Sequence, residues 1–327
     1  RQFSWERTAQ CTLEAFEHTA ALKRAREQVS IYCHGESSEE LPGCVPLDER
    51  SGLLRLAFVS PLPPCESGIA DYSAELLPEL ARYYDIEVIT PQNEISDRWA
   101  RANFRCRTPQ WFSQHHHRYQ RVLYQFGNSE FHSHMFDLLE RHPGTVVLHD
   151  FYLSGILNYL QQAGIRPDCF AEALYVSHGY AALACLHHDG PDEALKRYPS
   201  NLPVLAQAQG VIVHSQYSRA LAEQFYGPAY GDGWSVLPLL RASKLLADPL
   251  AARARLGLPA DSQITASFGF IAPTKLNHEL LDAWLASQEN NPNAYLVLVG
   301  RNSLGQYGEQ LLMRIERSPA RQRIRIT

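Results

Sequence analysis

Short, almost uninterrupted apolar runs recur along this chain, each followed by a stretch of helical length. They are LRLAFVS from residue 54, IEVIT from 86, RVLYQF from 121, TVVLHD from 145 and GVIVHS from 210. Successive side chains on a strand point to opposite faces. A strand apolar on both faces must therefore be covered on both, which is the situation of a parallel sheet between two layers of helices. Amphipathic patterns over residues 69–82, 130–141 and 216–226, with about sixty helical residues before GVIVHS, supply those layers. The rhythm predicts α/β class with a doubly wound parallel sheet.

The alternation breaks at YGPAYGDGWS, residues 226–235, whose glycines and proline read as an interdomain hinge. It then restarts with ITASFGF, a helix over 276–288, AYLVLVG, a helix over 305–317 and RIRIT. The expected domains are 54–228 and 236–327. A doubly wound domain generally uses five or six strands. The second is therefore expected to be incomplete, the chain lacking its C-terminal part. At the other end, residues 4–29 read as one helix capped by Ser4. Residues 34–53 have the polar, Pro- and Gly-containing composition of a linker.

Composition narrows the function. The formal net charge is −5, with 30 basic and 35 acidic residues. Interspersed charge of this sign argues against a dedicated nucleic-acid binder. No run approaches the ~20 apolar residues of a membrane span, and no signal peptide starts at Arg1. The seven cysteines include no C-x-x-C pair and read as reduced thiols of a cytoplasmic protein. The histidines fall in no H-E-x-x-H frame, so no metal site is expected. The absence of G-x-G-x-x-G after any strand argues against a nicotinamide or flavin oxidoreductase.

Ligands of open α/β sheets sit past the carboxyl ends of the strands. The loop SPLPPCESGIADYS, residues 60–73, lies at such an end. Gly68 and Ile69 would open the next helix, whose free N–H groups favour an anion, although an ordinary strand–helix turn has the same look. Asp71 and Tyr72 fall on its first turn, where Asp71 also complements the helix dipole. His149 and Asp150 end TVVLHD, and an imidazole there can donate to a hydroxyl or move a proton near neutral pH. Asn128 and His132 follow RVLYQF at the same edge. His178, in YVSHGY, has no clear register.

The segments SPLPPCESGIADYSAELLPEL, YQFGNSEFHSHM, VVLHDFYLSG, GVIVHSQYSR, ARARLGLPADSQITASFGFIAPTK and AYLVLVGRN, in this order, resemble the bacterial group 1 (family 4) retaining glycosyltransferases of GT-B type. More narrowly the chain is similar to enzymes of surface-polysaccharide synthesis that carry several transferase modules on one polypeptide. The resemblance covers residues 54–327. It implies two Rossmann-like domains across a cleft, one for the acceptor and one for a GDP- or UDP-linked sugar, with no metal and no further cofactor. His149 and Asp150 would act on the sugar being transferred. Gly68, Ile69, Gly269, Lys275 and Gly300 would contact the donor. Asp71, Tyr72, Asn128 and His132 would contact a glycan or lipid-linked acceptor. FSWERTAQCTLEAFE, within residues 1–33, resembles the closing helix of a preceding module.

Two departures stand out. The family's arginine after the first glycine of the donor loop is Phe270 here, although Lys275 is retained. The family's two glutamates with seven residues between them would lie past Thr327. The chain alone is therefore expected to be inactive, and a degenerate, non-catalytic domain that binds carbohydrate or a partner module is the competing expectation. Arg98, Arg101, Arg105, Arg107, Arg118 and Arg121, interleaved with Trp99, Phe104, Trp111 and Phe112, suggest contact with an anionic membrane, or else a solvated loop whose arginines pair with acids.

Overall fold

A computed structural model of the protein describes residues 10–14, 17, 52–241, 248–287, 291–302 and 305–327. Residues 10–14 are helical; the rest of the helix expected over 4–29, except residue 17, and nearly all of the 34–53 linker lie outside the described residues. The chain divides into two units, Arg1–Ala242 and Ser243–Thr327.

The first unit is built on β1 (Leu54–Val59), β2 (Tyr84–Ile89), β3 (Arg105–Arg107), β4 (Arg121–Phe126), β5 (Thr145–Leu148), β6 (Gly210–Val213) and β7 (Ser235–Val236). Their order across the sheet is β3-β2-β1-β4-β5-β6-β7, and every pairing is parallel. The helices are α1 (Gly68–Leu80), α2 (Arg98–Asn103), α3 (Pro109–His115), α4 (His134–Arg141), α5 (Ser154–Gln162), α6 (Cys169–His178), α7 (Tyr180–His188), α8 (Pro191–Arg197), α9 (Leu202–Gln207) and α10 (Gln216–Tyr226). The helix expected over 130–141 starts as a 3-10 turn, Glu130–His132, and becomes α4 only at His134. The glycine-rich segment 226–235 leads into β7, the edge strand of this sheet.

Two cores account for the apolar strands. Leu56 and Phe58 of β1, Leu123 of β4, Val147 of β5 and Ile212 of β6 pack with Tyr72, Leu76, Leu77 and Leu80 of α1. Their neighbours Ala57, Val59, Tyr124, Phe126, Val146, Leu148 and Val213 belong to a larger core with Phe112, Phe136, Ile156 and Phe170. Adjacent residues of one strand thus enter different cores, as the two-faced pattern requires.

Glu87 interrupts this pattern. It is a buried acid in β2, and it accepts a hydrogen bond from Tyr119 Oη and lies 3.3 Å from Arg107 Nε and 3.8 Å from Arg55. Burial pushes its carboxyl up. Hydrogen bonds from Tyr119 and Arg107 and the charges of Arg107 and Arg55 outweigh that and hold it below the usual carboxylate range. Arg107, read from sequence within a basic surface stretch, is therefore drawn toward the sheet to neutralise this acid, whereas Arg105, 3.9 Å from it, keeps a 74% exposed side chain.

The second unit contains α11 (Pro249–Arg255), β8 (Gln263–Phe268), α12 (Asn277–Ser287), β9 (Ala294–Val299), α13 (Gln306–Arg317) and β10 (Ile324–Ile326). Its strands are parallel in the order β10-β9-β8. Its core joins Leu281, Trp284, Leu296, Leu298, Leu311, Ile315 and Ile324. Both units are thus Rossmann-like α/β layers, as the alternation of strand and helix patterns predicts, the second with three strands.

Candidate functional site

The carboxyl ends of β1, β4, β5 and β6 open on one edge of the first sheet, because every strand is parallel. Four segments meet there. The loop after β1 is clamped by Gln92, whose amide accepts from Leu62 N at 2.8 Å and donates to Leu62 O at 2.7 Å. Ser67 caps α1 through Ile69 N. Gly68 is the first residue of α1, and a side chain there would meet nothing within 4 Å, so no packing demand explains the glycine. Asp71 is exposed beside Arg241, at 3.4 Å, and Arg241 also bonds Gly68 O and lies 3.3 Å from Glu75.

Tyr72 turns inward. It is buried, and its ring stands edge-on to His149 (5.0 Å between centroids, 79°) and to His214 (5.5 Å, 64°). His149 follows β5 directly, and its backbone N–H donates to Phe126 O, which fixes the residue at the strand end. Its side-chain Nε2 lies 2.7 Å from Gln125 Oε1, and its Nδ1 lies 3.1 Å from His214 Nε2. His214, the residue after β6, places its Nδ1 2.9 Å from Leu237 O. Both ring nitrogens of His149 are thus engaged by protein groups. Burial, then the neighbouring His214 and His132, push its pKa well below the ordinary imidazole value; burial also lowers that of His214, against the opposing hydrogen bond to Leu237 O.

Asp150 is exposed and accepts from Asn128 N at 2.8 Å. The Asn128 side chain accepts from Ile156 N at 2.9 Å and so caps the first turn of α5. His132 is fully buried. It packs against Gly127, where a Cβ would stand 2.8 Å from its Nε2. No well-formed hydrogen bond reaches either ring nitrogen. His178 lies apart from this edge, among Tyr198, Phe225 and Tyr226.

The sequence reading thus finds the edge, and the structure divides its residues. Asp71, Asn128 and Asp150 reach the surface, whereas Tyr72 and His132 lie beneath it. Gln125 and His214 are functional candidates that the reading missed. Their signal was present: a glutamine inside the apolar run RVLYQF, and a histidine ending GVIVHS just as His149 ends TVVLHD.

In the second unit, Gly269 and Gly300 end β8 and β9 with φ of +118° and +147°. The two backbones touch: a Cβ on Gly300 would stand 2.1 Å from Gly269 O. The Lys275 side chain lies across Gly269, its Cε 2.9 Å from where a Cβ would be. The first two N–H groups of α12, those of Asn277 and His278, are taken by Tyr307 Oη. Phe270, where the resembling family carries arginine, is 47% exposed. Among the described residues, no group of three or more His, Cys, Asp or Glu could hold a metal ion, and no helix is long and apolar enough to cross a membrane.

No protein-family model and no characterised protein sequence matches the chain. Solved structures that the chain is similar to include the following two, both at low TM-score. One is LpCGTa in complex with UDP, at 15% identity and TM-score 0.39, covering 84% of this chain and 70% of that one. The other is Phytolacca americana UGT2 complexed with UDP-2fluoro-glucose and pterostilbene, at 13% identity and TM-score 0.33, covering 84% of this chain and 71% of that one.

Proposed function

We propose that the chain is a module of a nucleotide-sugar glycosyltransferase, its second unit binding a UDP- or GDP-linked sugar and its first receiving a glycan or lipid-linked acceptor. The observation that carries this reading is the lysine laid across bare backbone at the carboxyl end of β8. A diphosphate needs close approach to backbone and a positive point charge, and Gly269, Gly300 and Lys275 bring these together. Retention of configuration, a role in surface-polysaccharide synthesis and neighbouring transferase modules belong to the same proposal and rest on the ordered sequence resemblance. In it, His149 and Asp150 border the transferred sugar, while Gly68, Ile69, Asp71, Tyr72, Asn128 and His132 form or support that edge.

Lys275→Ala should weaken binding of UDP or GDP more than binding of the bare nucleoside, because a point charge acts on phosphate. A charged hydrogen bond is worth about 1.5–3 kcal/mol, so calorimetry should show a loss of about tenfold or more for the diphosphate alone. Equal losses for both ligands would remove Lys275 from the phosphate site.

A non-catalytic carbohydrate-binding relative is the second reading. It is favoured by the engagement of both His149 nitrogens within the protein. Turnover of a nucleotide-sugar by the module would exclude it.

Contact with an anionic membrane beside an inner-membrane, lipid-linked acceptor is part of the first reading. Arg107 serves Glu87, so this contact rests on the exposed Arg98, Arg101 and Trp99 of α2, with the exposed Arg105 beside them. Sedimentation with anionic vesicles should carry down the native protein and much less of an Arg98→Ala/Arg101→Ala variant. Equal sedimentation of the two would remove α2 from that role.

A further inference from the structure

The hydrogen-bond chain at the ends of β5 and β6 has only one consistent placement of its protons in the neutral state. Leu237 O is a carbonyl and only accepts, so His214 Nδ1, 2.9 Å away, carries a proton. The Nε2 of neutral His214 is then bare. His149 Nδ1, 3.1 Å from it, must be the donor. That leaves His149 Nε2 bare, 2.7 Å from the end of the Gln125 side chain. A bare nitrogen at that distance requires a donor, so the Gln125 amide must present its NH2 group there. This orientation also supplies a partner for Gln125 Nε2, a buried donor that is otherwise unpaired.

We propose that Gln125 and His214 are positioning residues that hold His149 as a neutral imidazole protonated on Nδ1, with its ring plane fixed at the carboxyl edge of the first sheet. Tyr72 completes the restraint, since its ring meets both imidazoles edge-on. The titratable groups facing His149 are His214 from the end of β6, Tyr72 from α1 and His132 from the turn after β4. None is a carboxylate, so nothing in this set favours an imidazolium. A further proton would have to enter at His149 Nε2 and turn the Gln125 amide over to accept through Oε1, which leaves Gln125 Nε2 a buried donor without a partner. The tautomer stands independently of the transferase reading, and its effect on turnover rests on that reading.

The test is nitrogen NMR of the whole protein labelled at histidine, with resonances assigned by His149→Gln and His214→Gln. The expected result at pH 7 is two neutral imidazoles, each protonated on Nδ1, neither titrating in the ordinary imidazole range. Gln125→Glu replaces the donor by an obligate acceptor and should convert His149 to the imidazolium at the same pH. Should that variant not fold, Gln125→Leu removes the donor without adding charge, and the His149 tautomers should mix. An Nε2-protonated His149, ordinary titration of His149 in the native protein, or an unchanged His149 spectrum in both Gln125 variants would overturn the proposal.

With a nucleotide-sugar substrate, Gln125→Glu should lower kcat at least about tenfold with the donor KM little changed, as expected when a group bordering the reaction is misplaced. The expected spectra with an unchanged kcat would refute the positioning role. The turnover is read on a protein that joins this module to a complete donor domain; no turnover there would count against the transferase reading while leaving the tautomer to be decided by the spectra.

Discussion

Replacing Gly300 by alanine should destabilise the second unit by at least about 3 kcal/mol, the combined scale of overpacking and of a side chain forced into positive φ. The new Cβ would stand 2.1 Å from Gly269 O, a backbone atom that cannot rotate away. Gly269 is itself held by its N–H to Val299 O at 2.9 Å. Relief therefore requires the ends of β8 and β9 to part, which breaks the ladder beside the proposed diphosphate site. Chemical denaturation of the native and variant proteins, followed by a probe in the second unit such as Trp284, should show the loss. An unfolding midpoint unchanged by Gly300→Ala would refute the close crossing of these two backbones.

Acidification should destabilise the first unit, and His132 alone should account for about 2 kcal/mol between pH 7 and pH 5. Burial lowers its pKa from 6.5 to about 4, and the backbone of Gln125 offsets only part of that. The unfolded chain then binds the proton more readily than the folded one. The stability is fully present above pH 6.5 and is lost as the pH falls toward about 4. Burial lowers the pKa values of His134, His149, His178 and His214 as well, so their contributions share this sign. His132→Leu keeps an apolar filling of similar size against Gly127 and should remove this part of the slope. Urea midpoints for both proteins at pH 7 and pH 5 measure it. An identical loss in the two would show that His132 does not carry the effect.

Much of this architecture was legible in the sequence, because each strand of the first sheet carries its burial on both faces. Leu56 and Ala57 enter different cores, and only a doubly covered strand makes both apolar. The convergence of these segments was legible for a related reason: parallel strands share one carboxyl edge, so the loops bearing Gly68, Asn128 and His149 all leave the sheet there. What could not be read was the direction each side chain takes once there. Tyr72 and Asp71 are neighbours in sequence, yet the helix turns one against two imidazoles and the other toward Arg241. The polar residues inside apolar strands were the underused signal. Glu87 in IEVIT and Gln125 in RVLYQF each organise partners distant in sequence, and no local pattern names those partners. Glu87 in particular converts Arg107 from a surface charge to the counterion of a buried acid.

The edges of the two sheets bear on how the protein behaves at high concentration. An exposed strand edge is a template for pairing with another chain, and short or charged edges blunt it. In the first unit, one edge is β3, three residues with two arginines, and the other is β7, two residues shortly before Pro238. In the second unit β8 is an edge of six residues, and its last residue, Phe268, is 71% exposed. Among the described residues this is the longest edge strand. A lysine in place of Phe268 would put a charge at the end of this strand, as charged edges elsewhere do, without touching any of the three cores.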